Sequence, residues 1–289
     1  MSAEIIAIFS AMGWAGDSIF VRFGLRRSNI FAAMLMSYVV SITCVWSYLI
    51  ATTSLEFLRS PAMIYYIISG CLQPIFARAL FYEGINRIGV ARAGPLRGTE
   101  PLFGAAAAVM FLGEQPGIVV FFGTILIVAS VWLITGKQEG AKKWRLIDAS
   151  LPILAALISA ISQTLRKQAL AIIPDPFVAV AIVTTVSLAL MIGFVLTTGR
   201  SAQLRMDRHS FFFFFCAAVL ATLAQIANFV ALGQGQMSAI IPLLNTTPLF
   251  TVLLSAIFLR NLETVNARII SGAVLMVAGV ILITSRGHA

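Results

Sequence analysis

The stretch Gly94-Pro95-Leu96-Arg97-Gly98-Thr99-Glu100-Pro101-Leu102-Phe103 returns 147 residues later as Ile241-Pro242-Leu243-Leu244-Asn245-Thr246-Thr247-Pro248-Leu249-Phe250. Two prolines six apart, each followed by Leu, fall at matching places in two apolar segments. Proline lacks a backbone donor and fixes its own φ, so neither segment can be a regular helix. A chain that repeats so unusual a segment is two copies of one unit. The match runs further. At the same offset Gln225 answers Arg78 and Asn228 answers Phe81. At an offset of 149, after a two-residue insertion near Arg260, Glu263 answers Glu114 and Gly272-x-x-Leu275 answers Gly123-x-x-Leu126. Leu282-Ile283-Thr284 likewise answers Leu133-Ile134-Thr135. The first span of each unit matches loosely, Trp14 to Arg22 with Ala160 to Gln168.

The 289 residues are 60 % hydrophobic and 11 % charged, with a mean hydropathy of +0.97. Soluble domains carry about 25 % charged residues, so the composition points to a polytopic membrane protein. Apolar runs long enough to cross a bilayer as helix follow one another at 5–21, 30–50, 61–82, 93–112, 117–136, 149–165, 177–198, 210–232, 238–259 and 264–284. The sixth run has room to extend to Leu170. The expected fold is all-α, ten transmembrane helices as two inverted five-helix repeats. Residues 1–136 form the first repeat, 137–148 a basic linker and 149–289 the second. Segment 5–21 lacks a basic start and contains Asp17, so it reads as the first span and not as a signal peptide. The short connections leave no room for a soluble catalytic module.

The formal charge of +9 is read as basic loops that orient the chain, not as a nucleic-acid surface. The loops after spans one, three, five, seven and nine hold thirteen Lys and Arg: Arg22, Arg26, Arg27, Arg87, Arg92, Lys137, Lys142, Lys143, Arg145, Arg200, Arg205, Arg208 and Arg260. The other side holds four, Arg59, Arg166, Lys167 and Arg286. Basic loops favour the cytoplasm, so the count puts both termini outside it, with a bacterial inner membrane as the expected location. Cys44, Cys71 and Cys216 lie in apolar spans without the spacing of a disulfide or metal site. No metal or cofactor is expected.

Five spans per unit is an odd number, and the halves join directly through Lys137–Asp148. The second unit therefore has to enter the membrane from the opposite face. Inverted repeats about an in-plane two-fold axis are a transporter architecture, because exchanging the conformations of two like halves alternates access to one site.

These features resemble the EamA branch of the drug/metabolite transporter superfamily, across essentially the whole chain. The resemblance is carried by Thr99-x-Pro101-Leu102-Phe103 and Thr246-Thr247-Pro248-Leu249-Phe250, the Leu112-Gly113-Glu114 turn, and the Gly-x-x-Leu helices at Gly123 and Gly272. The second copy departs from the usual turn, reading Leu259-Arg260-Asn261-Leu262-Glu263. The resemblance implies ten helices around a cavity lined by the third, fourth, eighth and ninth, with help from the first and sixth. Its substrates would be amino acids, nucleotide sugars, vitamins or drugs, often moved outward. It also implies cytoplasmic termini, against the charge count.

Ionisable groups inside a membrane segment are costly and usually functional. Four lie within spans and away from their ends: Asp17, Arg78, Arg97 and Glu100. Arg97 and Glu100, three apart on one helix, are within reach of each other. They are either a structural salt bridge or a ligand site. The second copy builds the same helix with Leu244 and Thr247, which favours the ligand site. Arg78 and Arg97 are expected to hold the acidic group of a substrate between them. Glu100 and Asp17 balance them to zero formal charge, as suits a zwitterion, or carry protons as the coupling ion. For Asp17, about one turn from the end of its span, a structural role is nearly as good.

Gln163, Thr164, Gln225, Asn228, Asn245, Thr246 and Thr247 supply uncharged hydrogen bonding from the second half. Each alone would serve equally as interhelical glue. Trp14, Tyr82 and Phe229 are candidate aromatic walls. Pro95, Pro101, Pro242 and Pro248 are candidate hinges, because freed carbonyls at mid-membrane persist only in protein or facing a cavity. Gly123, Gly272 and Gly279 mark close helix contacts, inside a monomer or across a dimer. The Phe211–Phe215 run reads as an interfacial belt or lipid contact.

The expected function is secondary active transport, most simply export, of a small polar metabolite, amino-acid-like or an organic anion. The alternatives are an importer of a vitamin or nucleoside-like compound and a lipid or amphiphile translocase. An intramembrane enzyme is disfavoured: the only histidines, His209 and His288, lie in a loop and the tail, and no catalytic motif is present.

Overall fold

The computed structural model describes residues 2–53, 55–100, 102–103, 106, 118–135, 145–199, 201–234, 243–244, 246–262 and 265–284. These form helices α1 (Ala3–Gly24), α2 (Ile30–Thr52), α3 (Met63–Ile88), α4 (Val90–Arg97), α5 (Ile118–Thr135), α6 (Ser150–Ile172), α7 (Pro176–Thr198), α8 (Arg208–Gln234), α9 (Thr247–Phe258) and α10 (Ala267–Thr284), with no strand among the described residues. Five are long and apolar enough to cross a membrane: α1, α2, α3, α7 and the Arg208–Asn228 part of α8. The expected fourth and ninth spans run into residues outside those described, and with them the count of ten.

Local chemistry sets the breaks. Asn29 caps α2, its Oδ1 accepting from the amides of Phe31 and Ala32 at 3.0 and 3.2 Å. Asp175 caps α7 in the same way, with Pro176 at the first helical position, where a missing donor costs nothing. Gly89, at φ 85°, separates α3 from α4 in a region that residues with a Cβ rarely enter. Within α3 the segment Cys71–Ala77, which contains Pro74, winds as a wider π-type turn before α-geometry resumes at Arg78. Such turns are frequent at functional sites.

The packing follows a numerical rule. α1 packs on α8 and α6 on α3, so adding five to each number exchanges one pair for the other. α2 packs on α7, α4 on α9 and α5 on α10. The paired helices run antiparallel. Trp46 Nε1 donates to Thr185 Oγ1 at 2.9 Å while Phe31 stacks on Phe194. Gly94 lies against Thr251, and Gly98 against Pro248.

Small residues make the crossings close. A Cβ on Gly279 would lie 2.7 Å from the Gly123 carbonyl oxygen, and one on Gly272 2.6 Å from Ile134. This glycine face is therefore internal packing between α5 and α10, and the dimer alternative for it falls. Large apolar side chains elsewhere point outward, Trp132 at 75 % exposure among them, as a lipid-facing surface requires. The Phe211–Phe215 run divides: Phe211, Phe212 and Phe215 are exposed, but Phe214 is buried against Gly24. A pure belt is thus corrected to a helix face that alternates between lipid and core.

Two large apolar clusters fill the interior. One joins Tyr38, Tyr82, Ile85, Ile88, Leu96 and Phe214, the other Leu49, Tyr66, Ala169 and Val178–Val183. Along α3 the fully buried members of the first start at Tyr82 and those of the second end at Tyr66. The residues between them carry the polar side chains described next.

Candidate functional site

α1 extends to Gly24, so Asp17 lies two turns inside it and is 2 % exposed. Tyr82 Oη donates to its carboxylate, 3.2 Å from Oδ1 and 3.4 Å from Oδ2. Tyr82 is thereby a buried hydrogen-bond partner and not only an aromatic wall. Arg78 stands one turn earlier on α3. Its guanidinium lies 5.8 Å from the ring centres of both Trp14 and Tyr82, donates to Ser37 Oγ, and interacts electrostatically with Asp17. Cation–π contacts of this kind are stronger where water is excluded.

Arg97 Nη1 donates to Glu100 Oε2 at 2.6 Å, and its Nη2 donates to Ser159 Oγ on α6. The expected pair is therefore formed, and it also binds the second half. A fifth ionisable group belongs with these four. Arg166, expected in a loop, lies within α6 and is 4 % exposed. Its Nε donates to Ser69 Oγ on α3 at 2.9 Å, and Ser69 Oγ lies 2.7 Å from Ser162 Oγ. Arg166 attracts Glu100 and repels Arg78, which ties the two charged groups into one cluster. Among the described residues three guanidiniums, not two, stand with two carboxylates, so the zero balance expected of Arg78, Arg97, Asp17 and Glu100 does not extend to this cluster. The sequence did hold a signal, since Ser159, Ser162 and Arg166 share a helical face at spacings of three and four.

The uncharged candidates divide. Thr246 and Thr247 donate back to Leu243 and Leu244 carbonyls at 2.6 and 2.8 Å, so their donors are satisfied within their own turn. Gln225 and Asn228 are half-buried on α8. Asn245, Pro101 and Pro242, and the side chains of Gln163, Thr164 and Phe229, lie outside the described residues. Pro95 is buried inside α4 and Pro248 begins α9, where the two helices cross.

One further bond joins the halves beside the linker. Arg87, held by Glu83 at 2.6 Å, also reaches Asp148 Oδ1 at 2.9 Å, and Asp148 Oδ2 accepts the Arg145 amide at 2.9 Å. Among the described residues no group of His, Cys, Asp and Glu is arranged to hold a metal ion.

The family model described as the EamA-like transporter family matches residues 1–136 and again residues 147–285. The chain belongs to the EamA-like transporter family. The two matches cover nearly all of it, one on each copy of the repeat, and agree with the EamA branch of the drug/metabolite transporter superfamily. A solved chain titled only "Crystal structure of protein" superposes with a TM-score of 0.67 over 99 % of each chain at 12 % identity. At that identity the likeness is one of fold. Among curated proteins none matches by sequence. Membership makes this EamA chain a multi-pass membrane protein of a transporter family, in which a buried polar cluster has a natural use.

Proposed function

We propose that the chain is a secondary active transporter that exports a small polar metabolite, amino-acid-like or an organic anion, across a bacterial cytoplasmic membrane by alternating access. The observation that carries this reading is the cluster of Arg78, Arg97, Arg166, Asp17 and Glu100, enclosed between two apolar clusters and contributed by both halves. Charges are kept in such a place for a ligand or an ion. The antiparallel pairing of equivalent helices supports inverted repeats, which exchange conformations about a central site. In this reading Arg97 and Arg78 hold the acidic group of the substrate. Glu100 orients Arg97 and takes a proton during turnover, Asp17 is a second proton site, and Trp14 with Tyr82 forms the wall behind Arg78. Gln163, Gln225, Asn228, Asn245 and Thr246 bind the remainder, and Pro95, Pro101, Pro242 and Pro248 let α4 and α9 bend.

The test is a melting screen of the purified protein against amino acids, organic acids, nucleosides and vitamins, followed by flux into proteoliposomes. A compound that raises the melting temperature should move under an imposed pH gradient. Protection without flux, or lipid flux without metabolite flux, overturns the reading, the latter in favour of an amphiphile translocase.

A further inference from the structure

A guanidinium has five N–H donors. Among the described residues that of Arg166 makes one hydrogen bond, to Ser69, and no ion pair within 4.0 Å. A buried cation in that condition is destabilising unless something balances it. The carboxylate that attracts it, Glu100, is already joined to Arg97, and Asp17 serves Arg78 and Tyr82. The cluster therefore keeps one positive charge that the described chain does not compensate. Two serine hydroxyls, Ser69 and Ser162, stand beside it at 2.7 Å from each other.

We propose that Arg166, positioned by Ser69 and Ser162, is an anion subsite between α3 and α6, and that the cargo carries net negative charge, a carboxylate or phosphate with no ammonium group to offset it. A fork-shaped cation with unused donors matches the planar or tetrahedral oxygens of such a group. A zwitterion would bring its own cation into a site that already has one in excess. The cargo half of this proposal rests on the transport reading above; the anion site does not.

The experiment uses full-length protein in nanodiscs of zwitterionic lipid. Melting is followed with sodium benzoate and sodium acetate against benzamide and acetamide at constant ionic strength. The carboxylates should raise the melting temperature and their neutral counterparts should not, with the shift lost in Arg166→Gln. That variant alone should melt no lower than the wild type, because it removes an uncompensated charge. Arg166→Lys, which keeps the charge and loses the fork, should keep a weaker shift. It is the variant to read if Arg166→Gln does not fold, and undiminished protection in it overturns the proposal. Equal effects of acid and amide, or the full shift surviving in Arg166→Gln, also overturn it. Adding anionic phosphatidylglycerol separates a lipid headgroup from a soluble anion: if it alone removes the benzoate effect, the site takes lipid and the cargo half fails. If Arg166-dependent protection is found while proteoliposomes move no metabolite, the anion site stands and the transport reading falls.

Discussion

Tyr82 reaches from α3 to donate its hydroxyl to Asp17 on α1 at 3.2 Å, a bond between two nearly water-free side chains. Tyr82→Phe keeps the ring beneath Arg78 and removes the donor. Leaving a buried carboxylate short of a donor costs about 1–3 kcal/mol, so the variant should melt measurably lower. Tyr82→Phe on an Asp17→Asn background should cost less, because the group left short is then neutral. A double-mutant cycle of melting temperatures reads the difference.

The second half's own residues test the Arg97–Glu100 pair. Charge-assisted bonds contribute about 1.5–3 kcal/mol, so Arg97→Leu should weaken substrate binding about ten- to a hundredfold. It also leaves Glu100 half-buried and unpaired. Arg97→Leu with Glu100→Thr, which copies Leu244 and Thr247, should melt closer to wild type than Arg97→Leu alone while transporting no better. If both variants transport normally, the pair is structural.

Gly279 and Gly193 make a matched pair of substitutions. A Cβ on Gly279 meets the Gly123 carbonyl oxygen at 2.7 Å, whereas one on Gly193 meets nothing within 4 Å. Gly193→Ala should stabilise α7 by roughly 0.5–1 kcal/mol through helix propensity. Gly279→Ala should instead lower the melting temperature, since backbone on both sides has to move. Melts of the two purified proteins are sufficient.

Much of this was readable in advance. The bounds of α1, α2, α7, α8 and α10 follow the apolar runs closely, because in lipid the length of a helix is set by the thickness it crosses. The Arg97–Glu100 bond follows from spacing alone. Arg166 was missed because a charge near the end of an apolar run is ordinarily read as a helix terminus. Here α6 continues to Ile172 with Arg166 turned inward, where Ser69 on a different helix holds it. Ser37 and Ser159, which hold Arg78 and Arg97, were equally hidden, since serine is common in any apolar helix and only tertiary proximity singles these out.

Acid stability has a local contribution at Asp207, in the loop before α8. Hydrogen bonds from Ser210, side chain and then backbone, hold its carboxyl below the usual carboxylate range, aided by His209 and Arg27. A depressed folded-state pKa contributes stability above the unfolded value of about 3.9 and loses it as pH falls through the lower folded value. Melting temperatures of wild type and Asp207→Asn should therefore differ by a small amount at pH 5, where the variant lacks that contribution. The gap should close below about pH 4.

With Arg166 and Lys167 inside α6, the sparser side retains Arg59 and Arg286, while Arg22, Arg87, Arg92 and Arg208, also within helices, leave nine on the richer side. A reporter fused after Ala289 should then behave as periplasmic. A cytoplasmic signal there would show that loop charge does not govern this chain's insertion.

The wide turn at Cys71–Ala77 has a consequence for how the gene tolerates change. An α-helix advances about 100° per residue and the wider turn less, so a deletion there that restores regular winding leaves Arg78 near the rings of Trp14 and Tyr82, whereas a deletion in the α-wound stretch Met63–Gly70 swings it a quarter-turn or more away from its present direction relative to the start of α3. Length is usually free to drift in loops and fixed in helices by the bilayer alone. In α3 before that turn it is fixed by the direction in which one cation points.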